Sequence, residues 1–360
     1  MIKNSLMMIN RIYLEIKKKH IILLLVCCGF FAQNIYAQYP STKIKDKHQA
    51  YTDSLKQVKY DNVFPIWGQK AYQKGFDIPY PTGVMVNYVY IKQGLIIDNM
   101  RLGLQTDNID LPLTGVDFIE FGDNYSTAST VMVRPDVWVL PFLNVYGLFG
   151  TGNSKTEVNL KFPIELKSVV EQNVRTSGIG MTAAGGIGPV WLAIDGNITW
   201  NKPELLDEAV KVKTFGIRLG QNFVNKSRPD RNFGVWAGAM SVSLGSNTVG
   251  ELKLNEALPP ETWERADQIV ATYDDWYNNT ATVGQKIIAD QTIGPIVEAI
   301  GAADGESIIR YGLDKSTKQK WNGIIGAQYQ HNKNWMFRTE AGVVGDRKSF
   351  LLSVNWRFLL

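Results

Sequence analysis

Phe350-Leu351-Leu352-Ser353-Val354-Asn355-Trp356-Arg357-Phe358-Leu359-Leu360 decides how this chain folds. Every second residue from Phe350 to Leu360 is apolar, and the intervening set carries Ser353, Asn355 and Arg357. A β-strand turns successive side chains to opposite faces, so this run makes a strand with one apolar and one polar side. Working backwards, Trp335, Phe337, Thr339, Ala341 and Val343 alternate with Met336, Arg338, Glu340 and Gly342. Before them, Trp321, Ile325, Ala327 and Tyr329 alternate with Asn322, Gly326, Gln328 and Gln330. The short segments 331–334 and 345–348 join the three strands as hairpins.

The same period recurs upstream. Val131, Val133, Val137 and Val139 oppose Arg134, Asp136 and Trp138, and Thr156, Val158, Leu160 and Phe162 oppose Lys155, Glu157, Asn159 and Lys161. Val190, Leu192, Ile194, Ile198 and Trp200 oppose Ala193, Asp195, Asn197 and Thr199; Phe215, Ile217 and Leu219 oppose Gly216, Arg218 and Gly220. Looser strands fit at 83–92, 95–105, 142–151, 174–186 and 232–244. That makes about 12 strands of roughly ten residues, the length a tilted strand needs to span a bilayer.

The N-terminus supplies a destination. Lys3, Arg11, Lys17, Lys18, Lys19 and His20 precede an apolar run over 21–32, and Ala37 follows as a small cleavage residue. This reads as a secretory signal peptide, 1–37, with the mature chain starting at Gln38. The run is too short for a spanning helix. Val26 before Cys27 poorly suits a lipid-attachment site. Both cysteines, Cys27 and Cys28, leave with the signal. Taking its five basic residues and one acid from totals of 38 and 34 leaves 33 of each sign, so no basic excess points to nucleic acid.

A soluble β-sandwich also alternates apolar with polar. The export signal, the aromatics near strand ends (Trp200, Trp321, Tyr329, Trp335, Trp356) and a chain ending on a strand favour a membrane barrel with an aromatic girdle.

Trp356-Arg357-Phe358-Leu359-Leu360 resembles the C-terminal assembly signal of outer-membrane barrels, with its aromatic third from the end rather than last. Together with the segment 134–147, Arg134-Pro135-Asp136-Val137-Trp138-Val139-Leu140-Pro141-Phe142-Leu143-Asn144-Val145-Tyr146-Gly147, and the last two hairpins, it makes the mature chain similar to uncharacterised, porin-like Gram-negative outer-membrane β-barrel proteins. The resemblance implies a location in the cell outer membrane, lipid around the wall, and recognition of the last strand by the barrel assembly machinery. It implies no biochemical activity.

Two regions break the strand pattern. Residues 38–80 are charged and irregular, with a short amphipathic helix expected over 64–72. In 246–318, Pro259-Pro260-Glu261 starts a helix well, and Trp263, Ala266, Ile269, Val270, Tyr273, Trp276 and Tyr277 recur at helical spacing. A second helix is expected over 284–300, broken near Gly294-Pro295. The expected organisation is therefore all-β: an antiparallel transmembrane β-barrel of about 12 strands with a helical extracellular insertion. Residues 1–37 are the signal peptide, 38–80 a periplasmic or plug segment and 81–360 the barrel, with the insertion at 246–318.

Chemistry is sparse. Gly178-Ile179-Gly180-Met181-Thr182-Ala183 spells a nucleotide fingerprint, but Ala184-Gly185-Gly186-Ile187-Gly188-Pro189 after it cannot continue as the helix that motif requires. Barrel enzymes need a base beside a nucleophile or metal. The mature chain offers only His48, in the irregular segment, and His331, in a tight turn, so no enzyme, cofactor or metal is expected. Asp274, Asp275, Trp276 and Tyr277 form a candidate surface site for a glycan or partner. The inward polar set is the better clue: Arg134, Asp136, Asp195, Asn197, Arg218, Arg338, Glu340, Asn355 and Arg357 should line the lumen, with Glu340 and Arg357 candidates to pair across the last hairpin. The leading expectation is a monomeric porin-like passive channel for small solutes. The alternative is a non-conducting surface barrel whose 246–318 insertion binds a partner or glycan.

Overall fold

The computed structural model describes residues 42–359 apart from 188, 207, 226, 227, 229, 230 and 246, and only the backbone at 42–48, 187 and 247. The signal peptide expected at 1–37 and the terminal Leu360 lie outside the described residues. The chain divides into two units, Met1–Gln57 and Val58–Leu360.

In the first unit, α1 (Thr42–Lys56) is a 15-residue helix where the sequence reads as irregular. The segment is too polar to show an apolar stripe, yet it contains no Gly or Pro to break a helix. Gln49 and Lys56 both reach Asp53, at 3.2 and 2.8 Å, the one-turn spacings at which helical side chains meet.

The second unit holds everything else. The helix expected over 64–72 is confined to α2 (Gly68–Gln73), because Trp67 at φ 72° lies in the left-handed region and stops it. The strands follow as β1 (Thr82–Gln105), β2 (Thr114–Gly115), β3 (Glu120–Phe121), β4 (Asn124–Leu140), β5 (Leu143–Phe162), β6 (Leu166–Ile187) and β7 (Val190–Pro203). Then come β8 (Val210–Val224), β9 (Asn232–Leu244), β10 (Asn247–Lys253), β11 (Ile308–Thr317), β12 (Trp321–Gln330), β13 (Trp335–Val344) and β14 (Lys348–Phe358). Ten of them pair antiparallel into a closed ring, β1-β4-β5-β6-β7-β8-β9-β12-β13-β14, and β14 returns to β1 with Thr82 opposite Phe358 and Lys92 opposite Lys348. The other four, β2, β3, β10 and β11, lie outside the ring.

The expected 12 strands become ten ring strands for one reason. The segments 83–92 and 95–105 are a single strand, β1, and 142–151 and 155–162 are a single strand, β5. Gly94 and the run Gly152-Asn153-Ser154 resemble turns in sequence, but the paired ladders run through both places.

The lower barrel has an apolar outside. On β14, Phe350, Leu352, Val354 and Trp356 are exposed, while Ser353, Asn355 and Arg357 are buried. Neighbouring strands continue the belt with Val86, Val131, Val133, Ile179, Met181, Leu192, Ile217 and Leu219. From Phe350 to Phe358 this face stands about 20 Å tall at ~3.3 Å per residue and the usual strand tilt, near the apolar band of outer-membrane barrels. Trp335 pairs with Trp356 near one rim; Trp321 meets Phe215 edge-on, ring centres 6.1 Å apart, near the other. Among the described residues no helix is long and apolar enough to cross a membrane.

Above this belt the polarity inverts. Lys155 and Glu157 of β5 face outward and form ion pairs with Glu171 (2.7 Å) and Lys167 (3.3 Å) of β6. Leu160, Phe162, Leu166 and Val170 pack inward. The 155–162 alternation is therefore real but belongs to a water-facing extension of the wall, with its apolar face turned to the interior.

That extension carries a cap. Helices α3 (Leu254–Ala257), α4 (Pro260–Glu264), α5 (Ala266–Asp275), α6 (Val283–Asp290) and α7 (Ile293–Gly301) sit between β10 and β11, with a π-helical turn at Trp276–Thr280. The insertion expected to be simply helical thus begins and ends in strands that pair with each other, and β11 continues onto β1, Leu95 opposite Thr317. The helix break falls at Gln291-Thr292; Pro295 sits in the first turn of α7, where its missing N–H costs little. Helices this short are marginal alone. They are held by a shared core of Leu102, Leu104, Ile164, Leu254, Ile269, Trp276, Ile296 and Ile300, each full burial contributing about 1.5–3 kcal/mol.

Candidate functional site

The ring register brings the inward polar residues into two clusters. In the first, the Arg218 guanidinium donates from Nε (2.6 Å) and Nη2 (2.8 Å) to the two oxygens of Glu340. Asp195 accepts from its third nitrogen. Glu340 also accepts from Arg338 Nη2 (3.0 Å) and Trp236 Nε1 (2.9 Å), and the Arg338 guanidinium lies 4.6 Å from the Trp236 ring centre. In the second cluster, Arg357 Nη2 donates to Asp136 (2.9 Å) and Arg357 Nε to the Tyr80 carbonyl (2.8 Å). Asn144 donates to Asp136 (2.7 Å) and accepts from Arg134 (3.0 Å), whose guanidinium stacks 3.7 Å from the Tyr146 ring centre.

The clusters lie within electrostatic reach of each other through Arg134, Arg218 and Arg338. Arg218, Glu340, Asp136 and Arg357 are all buried. Charges taken out of water persist only when paired and hydrogen-bonded, and here they are. The expected pairing of Glu340 with Arg357 does not form. Glu340 sits opposite Leu351, too far along the hairpin, and each residue finds its partner on another strand instead.

All the sequence-expected lumen residues face inward. Arg134, Asp195, Asn197, Arg218, Arg338 and Glu340 line a cavity, whereas Asp136, Asn355 and Arg357 are packed beneath it. Asn144, Tyr146, Trp191 and Trp236 are interior residues that the sequence reading missed. Aromatics read as outward girdle or core residues, but their parity shows the inward face: Trp236 shares it with Gly234 and Gly238. Each inward ring lies over a glycine of a neighbouring strand. A side chain at Gly326 would collide with Trp236, and one at Gly180 with Tyr146. Those two glycines are therefore space for the rings that hold Glu340 and Arg134.

Above the charged layer lies a chamber of about 420 Å³. Its wall mixes aliphatic residues such as Val89, Ile91, Val212 and Leu244 with small polar ones such as Ser126, Thr130 and Thr199. Leu206 and Thr248 line its upper end, below the cap.

The surface candidate at 274–277 does not hold together. Asp274 and Asp275 are exposed, but Trp276 is buried, stacked on Phe118 (5.3 Å) and edge-on to Phe162 (5.9 Å). Tyr277 packs on the same core and donates to Asp290 (2.8 Å). Trp276 lies on the packed face of the helix and Lys286 covers the Tyr277 ring, so no aromatic face is left beside the carboxylates. Among the described residues no group of acids, histidines or cysteines is placed to hold a metal ion. Residues 178–183 lie within β6, with no helix after them. His331 lies in the turn between β12 and β13, its ring 6.1 Å from that of Tyr329, outside the chamber wall.

No protein-family model and no curated protein matches the chain. Among solved structures it is similar to outer-membrane barrels. The β domain of the Bordetella autotransporter BrkA is 11% identical, covering 77% of this chain and 100% of its own, with a TM-score of 0.32. The outer membrane protein OprG from Pseudomonas aeruginosa is 9% identical, covering 79% and 100%, at 0.33. The transport unit of the autotransporter AIDA-I from Escherichia coli is 9% identical, covering 87% and 99%, at 0.32.

Proposed function

We propose that the chain is an outer-membrane β-barrel that takes small solutes into an internal chamber and is closed to free diffusion in this form. The observation that supports it is the chamber of about 420 Å³ lying directly on the Arg218–Glu340 layer. Barrels of about eight strands are filled by their own side chains, and those of 16 or more leave an open pore. Ten ring strands fall near the filled end, narrower than the 12 expected, so arginine side chains can bridge the interior. Passage then requires the layer to rearrange, which makes the porin-like barrel a gated one.

In this reading the apolar belt faces lipid. The short turns and the ends of β1 and β14 lie in the periplasm, and the cap lies outside the cell, since longer loops face outward in such barrels. Trp356 and Phe358 on the outer face of β14 offer the assembly machinery its recognition strand. The chain works as a monomer in transport, not catalysis.

Single-channel recording tests this. The purified wild-type protein in a planar bilayer should be silent, or show only rare brief openings. Steady open steps at low voltage would mean that the charged layer does not close the lumen.

A further inference from the structure

The interior carries more positive charge than its own acids neutralise. Arg134, Arg218, Arg338 and Arg357 face Asp136, Asp195 and Glu340, four cations against three acids, each acid already in an ion pair. Two further cations lie higher up, away from these acids. Lys315, on β11, lines the chamber and has no carboxylate within ion-pair distance among the described residues. Arg347 shares the inward parity of β14 and is only 1% exposed. Its Nε donates to Gln93 (3.0 Å), a chamber-lining residue, but Nη1 and Nη2 are buried with no hydrogen-bond partner. The neighbouring acid, Asp346, accepts from the Gly94 amide instead (2.6 Å).

A cation withdrawn from water such as Lys315, with no acid beside it, is costly unless something supplies an acceptor. Gln93, Leu95 and Ile97 follow one another along the inner face of β1, with Lys315 opposite Ile97 and Arg347 bonded to Gln93. Lys315 and Gln93 thus stand on the chamber wall, with Arg347 behind Gln93. Elsewhere aliphatic residues, including Val89, Val212 and Leu244, alternate with small polar ones above the charged layer.

We infer that the chamber binds a small amphipathic carboxylate, its head on Lys315 and Gln93 and its alkyl body against the aliphatic residues. This deepens the proposed function by naming the class of solute, and it rests on that reading. A carboxylate supplies the acceptors this wall lacks, and an alkyl chain replaces water on the apolar side. The volume, a few hundred Å³, is that of ordinary small-molecule sites.

Calorimetric titration of the purified mature barrel with sodium hexanoate, and in parallel with 1-hexanol, tests the assignment. Both probes carry the same alkyl chain and only one is charged. Hexanoate should bind at least about tenfold more tightly than hexanol, the factor expected of one charge-assisted contact. Lys315→Met should remove most of that preference while leaving hexanol binding intact, which also shows that the variant is folded. Val212→Phe, which fills the chamber without touching a charge, should weaken both probes. Equal affinity for the two probes, absence of hexanoate binding, or an unchanged preference in Lys315→Met overturns the inference. If Lys315→Met does not fold, unweakened hexanoate binding by Val212→Phe overturns it. A barrel that is silent in bilayers yet ignores hexanoate loses this inference and keeps the closed-barrel reading. One that conducts steadily loses the closed-barrel reading whatever it binds.

Discussion

Replacing Glu340 with Ala should lower the thermal unfolding midpoint more than any other single change in the interior. Glu340 accepts from Arg218 twice and from Arg338 and Trp236 once each. Truncation leaves two buried guanidinium groups with only Asp195 beside them. Breaking a buried ion pair by removing one partner costs about 3–5 kcal/mol, because the other charge stays behind. Glu340→Gln keeps an acceptor and should fall between wild type and Glu340→Ala. Asn197→Ala, which truncates a chamber-lining amide outside the network, should be close to wild type. The temperature at which the folded band is lost on heat-modifiable gels reads all three. In bilayers, Glu340→Ala should also show fluctuating conductance where the wild type is silent. A Glu340→Ala barrel as stable and as silent as wild type would mean that the charged layer neither braces nor closes the lumen.

Val354→Arg should have the second large effect, at the outer surface. Val354 sits mid-strand on β14, flanked by Val86 on β1 and Phe337 on β13. An arginine facing lipid at mid-depth costs about 2–4 kcal/mol, so insertion into liposomes should fall sharply. Ser353→Ala, one residue away, removes a buried hydroxyl that has no hydrogen-bond partner, and should insert as wild type does. Normal insertion of Val354→Arg with failure of Ser353→Ala would reverse the two faces. Arg357→Ala belongs with the damaging changes, because it strips the buried Asp136 of its cation.

The faces of the ring strands were legible in sequence because a two-residue period propagates without error along a strand. One correct residue assigns the rest of its strand: Asn355 and Arg357 follow from Trp356, and Arg338 and Glu340 from Phe337. Strand number was not legible. Gly94 and Gly152 look like turn residues, and only the neighbouring ladders show that β1 and β5 continue through them. The pairing of the interior charges was hidden for a different reason. Arg218 and Glu340 are 122 residues apart, and ring closure places them together, which no local spacing encodes. Trp236 and Tyr146 were missed because inward aromatics break the apolar-out pattern, although the glycines they cover share that inward face. At Trp276 helical periodicity correctly indicated a packed face, and the adjoining carboxylates drew the functional reading to the wrong surface. The polar helix α1 was invisible because it has no apolar stripe to report it.

The most direct measurement is a spin-label accessibility scan along β14 in reconstituted bilayers. The chain from Gln38 onward has no cysteine, so single cysteines from Phe350 to Arg357 can be labelled without background. Labels at 350, 352, 354 and 356 should collide freely with oxygen dissolved in the lipid and poorly with a water-soluble nickel chelate. Those at 351, 353 and 355 should be shielded from the lipid, giving a two-residue oscillation along the strand. A flat profile, or one with lipid contact at 351, 353 and 355, would contradict a membrane-spanning barrel with an apolar outside and a charged, closed interior.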